Sequence, residues 1–155
     1  MITHQNDEAY VGAKCIVVVI QSIIKEDWVN GISLFDILIE EIPDSKVRDR
    51  LIKVKYLENL NEIAEFGNDG YVVNSVPLAI AAANIVKEIG LEEMFNQLIK
   101  IGGDTDTNCS IAGQISGAFL GINNIPEGLK SRLTKLQEYD WINSIINRFI
   151  ISQNL

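Results

Sequence analysis

Residues 101–121 read IGGDTDTNCSIAGQISGAFLG. Two glycines lead into two aspartates one residue apart, each followed by threonine, and a run of small residues comes next. The run predicts a helix over 105–120. Gly113, Gly117 and Gly121 recur at four-residue spacing, beside Ala112, Ser116 and Ala118. Each glycine in a helix interior costs roughly 1 kcal/mol relative to alanine. Three on one face imply that another backbone comes very close. In a membrane such a stripe marks a dimerising span, but Gln114 and the short length argue against that. In a helical bundle it implies a helix threaded through the centre, with the aspartates at its tip.

Outward from this stretch, nearly every segment reads as helix. Asn6 and Asp7 are caps for a helix over 7–25, whose Ile16–Ile20 run predicts burial on most sides. Ser33 caps a short helix over 34–41 that Pro43 ends. Asp44 or Ser45 starts a long amphipathic helix to about residue 65, with Val47, Leu51, Val54 and Leu57 or Leu60 on one face. FGNDGY, 66–71, is a turn-rich loop. SVPLAIAAANIVKEIG follows as a helix with Pro77 in its first turn and Gly90 at its stop. Helices over 91–100, 126–136 and 139–152 complete the chain. The architecture expected is an all-α, single-domain helical bundle over 1–155.

Composition bounds the function. The chain has 155 residues, 47% hydrophobic, with a net charge of −8. That length suits one hydrophobic core. The charge argues against a nucleic-acid backbone as partner. A phosphate-bearing ligand would need metal ions or backbone N–H groups to offset its charge. No apolar run approaches the ~20 residues of a membrane span, and no signal peptide is evident. Cys15 and Cys109, in apolar or small-residue surroundings, read as buried thiols in a reducing cytoplasm. Trp28 and Trp141 read as core or interface anchors.

The aspartates admit three readings. Asp104 or Thr105 caps the helix that follows. A calcium loop fits Asp104, Asp106 and Asn108 at its first positions, but needs glycine where Cys109 stands and glutamate where Ile115 stands. A magnesium-type site takes oxygens from Asp104, Asp106 and the Thr107 hydroxyl at a helix start, and is compatible with the cap.

The whole stretch 101–129, IGGDTDTNCSIAGQISGAFLGINNIPEGL, strongly resembles the C-terminal signature of the ADP-ribosylglycohydrolase family. ITHQNDEAYVGA (2–13) and FGNDGYVVNSVPLAIAAA (66–83) resemble two further family motifs, in the right order and spacing. The resemblance implies an all-α fold, a pair of Mg²⁺ ions (Mn²⁺ as the substitute), and hydrolysis of the glycosidic bond joining ADP-ribose to a protein side chain or a related conjugate. It implies Asp104, Asp106 and Thr107 as metal ligands, the two aspartates being also the catalytic residues. His4, Asn68, Gly70 and Tyr71 would bind substrate, with Phe66 or Tyr71 a candidate for stacking on the base. Family members are usually longer, and their N-terminal Thr-Asp-Asp-Thr motif and Gly-Ser-rich loop have no counterpart here. The expectation is therefore a partial domain, the C-terminal half. It would be a hydrolase subunit completed by an N-terminal-half polypeptide, a truncated inactive product, or a repurposed half-domain. The last would act as a homodimer or as a module for ADP-ribose or protein.

Overall fold

Asp104 opens α8 (Thr105–Leu120), its carboxylate accepting from the Thr107 N–H at 3.4 Å. Gly121, at φ +66°, closes it. This computed structural model describes residues 6–28, 33–57 and 59–152, and every regular element among them is helical. The all-α expectation holds. Before α8 come α1 (Asp7–Ile24), α2 (Leu34–Glu41), α3 (Lys46–Val54), α4 (Leu60–Ala64), α5 (Val72–Asn84), α6 (Val86–Ile89) and α7 (Leu91–Ile101). After it come a 3₁₀ turn at Ile122–Asn124, α9 (Glu127–Leu133) and α10 (Tyr139–Ser152).

The chain divides into two compact units at Ile122. In the first, α5 is the central element. Val73 and every residue from Ser75 to Ala83 are buried, as expected for a helix apolar all round. Its alanines let neighbours approach on several sides: α8, α3, α1 and α4 all pack against it. α8 lies between α5, α1 and α7, burying Asn108, Ala112, Ile115 and Ser116. Capping ties the helices together. The Asn6 side chain accepts from the N–H groups of Glu8 and Ala9 in α1. The Glu8 carboxylate in turn accepts from Lys46 and Val47 N–H at 2.9 and 3.0 Å. A charge on α1 thus satisfies the orphan donors and the positive dipole end of α3. Trp28 is buried as expected. Its ring meets Phe119 at 4.6 Å, with Lys87 Nζ 3.9 Å above it.

The second unit holds α9 and α10, neither of which has a buried residue. Trp141 on α10 is exposed, so it is not a core residue. No helix among the described residues is long and apolar enough to cross a membrane.

Three local expectations need correction. α1 buries one face (Val11, Cys15, Val19, Ser22, Ile23), while Tyr10, Val17 and Ile24 are exposed. The long helix expected over 45–65 breaks after Val54, because the Asn59 side chain accepts from the Asn61 N–H and starts α4 afresh. The helix containing Pro77 begins at Val72. The Tyr71 carbonyl accepts from Asn74 and Ser75 N–H at 2.7 and 2.9 Å, so the proline sits in the second turn.

The glycine face of α8 also differs from its sequence reading. A Cβ at Gly113 would stand 3.1 Å from the Phe95 ring, a side chain rather than a backbone, and one at Gly117 would meet nothing within 4 Å. Gly121 serves as the C-cap. Gly117→Ala should therefore stabilise the chain by about 0.5–1 kcal/mol, through helix propensity alone. A urea melt checks this, and a destabilised variant would show that the face is covered.

Candidate functional site

The loop 66–71 and the loop between α7 and α8 are separated by more than thirty residues yet share one acceptor. The Asn68 carbonyl takes the Asp104 N–H at 2.9 Å and the Asn108 Nδ2 donor at 2.9 Å. The Asn68 side chain reaches back to the Ile101 carbonyl at 3.4 Å. The close approach depends on Gly103. It lies at φ +76°, beside Gly102 at +78°, in the left-handed region that only glycine enters freely. A Cβ on Gly103 would overlap the Asn68 carbonyl oxygen.

The first loop has its own frame. Asp69 Oδ1 accepts from the Tyr71 N–H and from Asn74 Nδ2, both at 3.0 Å. Arg50 on α3 donates to the Phe66 carbonyl and, at 2.8 Å, to Asn74 Oδ1. Its guanidinium stands 5.4 Å from the centre of the Phe66 ring. The Asn74 and Tyr71 donors hold the Asp69 carboxyl below the ordinary carboxylate range, against the opposing charge of Asp104.

These loops present three acidic groups. Asp104 Oδ1 serves the cap of α8, whereas Oδ2 lies over Gly70, where a Cβ would overlap it. Asp106 is exposed, one residue into the helix. A hydrogen bond with the Asp104 carboxyl, then its own N–H and that of Thr107, hold Asp106 below the usual carboxylate range. Two carboxyl groups so close repel one another unless a proton or a cation lies between them. Asp106, Thr107, Ser110 and Ile111 line a shallow groove on the outer side of α8.

The donors are hard oxygens. Two carboxylates and a hydroxyl, with water or substrate filling the remaining positions, suit an octahedral Mg²⁺ or Mn²⁺. Among the described residues no three His, Cys, Asp or Glu side chains converge as a metal cage. The set fits a hard divalent cation held by few protein atoms. The thiols are not alternatives. Burial pushes Cys15 up to about 12, and burial followed by the Asp106 charge pushes Cys109 up, so neither offers a ready thiolate.

Of the residues expected here, Asn68, Gly70 and Asp104 come together, with Asp106 and Thr107 on the adjoining turn. The Tyr71 carbonyl starts α5, and its ring is exposed, as is that of Phe66. His4 lies outside the described residues. Sequence reasoning missed Arg50 and Asn74, and weighed Asn108 only as a calcium-loop position, not as a buried donor to Asn68. The 108, 112, 115, 116 spacing is a helical face and could have placed Asn108 inside. Nothing local could have placed Arg50, which acts from another helix.

Gly103→Ala should destabilise the chain by roughly 1–3 kcal/mol, since a side chain there is strained in φ and also displaces Asn68. Denaturant unfolding within 0.5 kcal/mol of wild type, a difference ordinary for harmless surface changes, would contradict this geometry.

Comparison with known proteins agrees with the motifs. The sequence model of the ADP-ribosylglycohydrolase family matches residues 1–154. The ADP-ribosylhydrolase ARH3 of Homo sapiens is 33% identical over 95 residues, covering 56% of this chain and 26% of that protein. ARH3 of Danio rerio is 41% identical over 73 residues, covering 41% of this chain and 20% of that protein. In Gallus gallus the identity is 31% over 114 residues, 64% of this chain and 30% of that protein. The chain thus aligns with less than a third of the length of the curated relatives it matches.

Proposed function

This chain belongs to the ADP-ribosylglycohydrolase family, and we propose that it contributes the Asp-Thr-Asp-Thr half of a Mg²⁺-dependent site that hydrolyses an ADP-ribosyl glycosidic linkage. The substrate class would be ADP-ribosylated protein or a related ADP-ribose conjugate. One observation carries the reading: the FGNDGY and GGDTDT loops meet on a single carbonyl and set the half-buried Asp104, its Oδ2 against Gly70, two residues before the exposed Asp106.

Each residue then has a role. Asp104 and Asp106 would hold the cation, with Thr107 adding a hydroxyl. Gly70, lacking a side chain, leaves room for Asp104 Oδ2 itself. Asp106, exposed in the first turn of α8, is accessible as a ligand. Asn68, Gly70 and Tyr71, with His4, would line the ADP-ribose pocket, and the exposed Tyr71 ring is the candidate surface for the base. When bound, the cations would polarise ribose oxygens, activate water and offset the diphosphate charge on an acidic protein. Further ligands would come from family sequence outside the aligned stretch, on an N-terminal-half polypeptide. The free thiols suit a cytoplasmic setting.

The second reading is a module that binds ADP-ribose or another protein without turnover, alone or as a homodimer. The exposed Trp141, Phe149 and Ile151 of α10 favour a protein-binding role.

Calorimetric titration with Mg²⁺ and ADP-ribose together, on wild type and Asp106→Ala, tests the site. Saturable binding is expected, weakened at least about tenfold in the variant, the scale of losing a charge-assisted contact. No binding by wild type would overturn the reading. Release of ADP-ribose from a modified protein, with and without the remaining family segment, separates hydrolase from binding module.

A further inference from the structure

We propose that Asn108 is a positioning residue for the cation site, setting the Asp104 and Asp106 carboxylates through the Asn68 carbonyl without touching the cation. The proposal rests on the reading that these aspartates hold a divalent cation.

Asn108 is 1% exposed, although it lies in the first turn of α8. Burying an amide is unfavourable unless its groups are bonded. Here Nδ2 is bonded, to the Asn68 carbonyl at 2.9 Å, and Oδ1 is buried with no partner among the described residues. Leucine has nearly the same shape and would avoid the uncompensated oxygen. The Asn68 carbonyl would keep its Asp104 N–H donor after such a change, so it would not be left as an unsatisfied buried acceptor. Stability alone therefore does not account for an asparagine at this position.

Geometry does. The Asn108 N–H donates to the Asp104 carbonyl at 3.0 Å, and the Asp104 N–H donates to the Asn68 carbonyl at 2.9 Å. The Asn108 side chain closes the circuit by donating to that same Asn68 oxygen. The backbone of Asp104 is thereby held on both sides, and Oδ1 is held by the Thr107 N–H. Oδ2 faces Gly70, two residues along from Asn68. Asn108 thus links the carboxylate to the wall that Oδ2 faces. Without its amide, the Asn68 carbonyl keeps one donor of two, and the loop can shift relative to the helix. Residues that orient metal ligands from behind typically change affinity by roughly 10–100-fold.

The test is Mn²⁺ affinity, read by the electron paramagnetic resonance of free Mn²⁺, on wild type, Asn108→Leu and Asn108→Ala. Circular dichroism and urea melts run alongside. The expected result is wild-type helicity in Asn108→Leu with Mn²⁺ binding at least tenfold weaker, and a similar loss in Asn108→Ala. Binding within twofold of wild type in a folded variant would overturn the proposal while leaving the cation site intact. Absence of Mn²⁺ binding by wild type would instead remove the reading it rests on.

A second measurement needs no variant. In nitrogen-15 NMR spectra of wild type, diamagnetic Mg²⁺ should shift the Asn108 side-chain NH₂ pair along the same saturation curve as the Asp104 and Asp106 amides. A silent Asn108 pair, with the aspartate amides responding, would overturn the proposal even if both variants fail to fold.

Discussion

The candidate site depends on one backbone oxygen. The Asn68 carbonyl receives two N–H donors from the same turn of α8, at 2.9 Å each. Each bond contributes about 1 kcal/mol net, too little to determine a fold. Its consequence is positional. It fixes the glycine loop before α5 against the start of α8, the two helices at the centre of the first unit. Remove the shared acceptor, and Gly103 loses the contact that justifies its positive φ, while Asp104 loses the anchor of its peptide.

The surrounding helices make this small lock effective. α5 is buried almost throughout and rich in alanine, so its N-terminus, where the glycine loop enters, has little freedom to move. α8 is held along the face of Asn108, Ala112, Ile115 and Ser116. Arg50 braces the glycine loop from α3, and Glu8 fastens α3 to α1. Loop atoms are thus tied to helices from both sides. That is the arrangement a weak, hard-oxygen cation site requires, because ligands ordered before binding need not be ordered by it. The acidity of the chain adds to the argument: an anionic conjugate approaching Asp104 and Asp106 would be repelled without a cation between them.

The sequence was most legible where the signals are local. The Asp104 cap, the turn at Gly102–Gly103, the stop at Gly121 and the placement of FGNDGY before a buried helix all follow from side-chain chemistry within a few residues. The all-α architecture follows from the same signals repeated. It was least legible where distant packing decides. An Ile-Val-Val-Val-Ile run is apolar enough to be buried all round, yet Val17 points outward, because only one side of α1 has neighbours in the first unit. The glycines at 113 and 117 looked like a seam for a second backbone, yet one meets a phenyl ring and the other open space. Propensity said where glycine was costly, not what had made the cost acceptable. The roles of Arg50 and Asn108 were hidden for the opposite reason. Each is an ordinary helical residue until the partner loop, far along the chain, is brought beside it.

The most direct test of the central claim is hydrogen exchange at the Asp104 amide. An N–H bound to the Asn68 carbonyl in a locked pair of loops should exchange through opening of the first unit, as slowly as the amides in the middle of α5. Exchange at the rate of exposed loop amides would mean that the two loops are not joined, and that the aspartates stand on a surface with no fixed geometry.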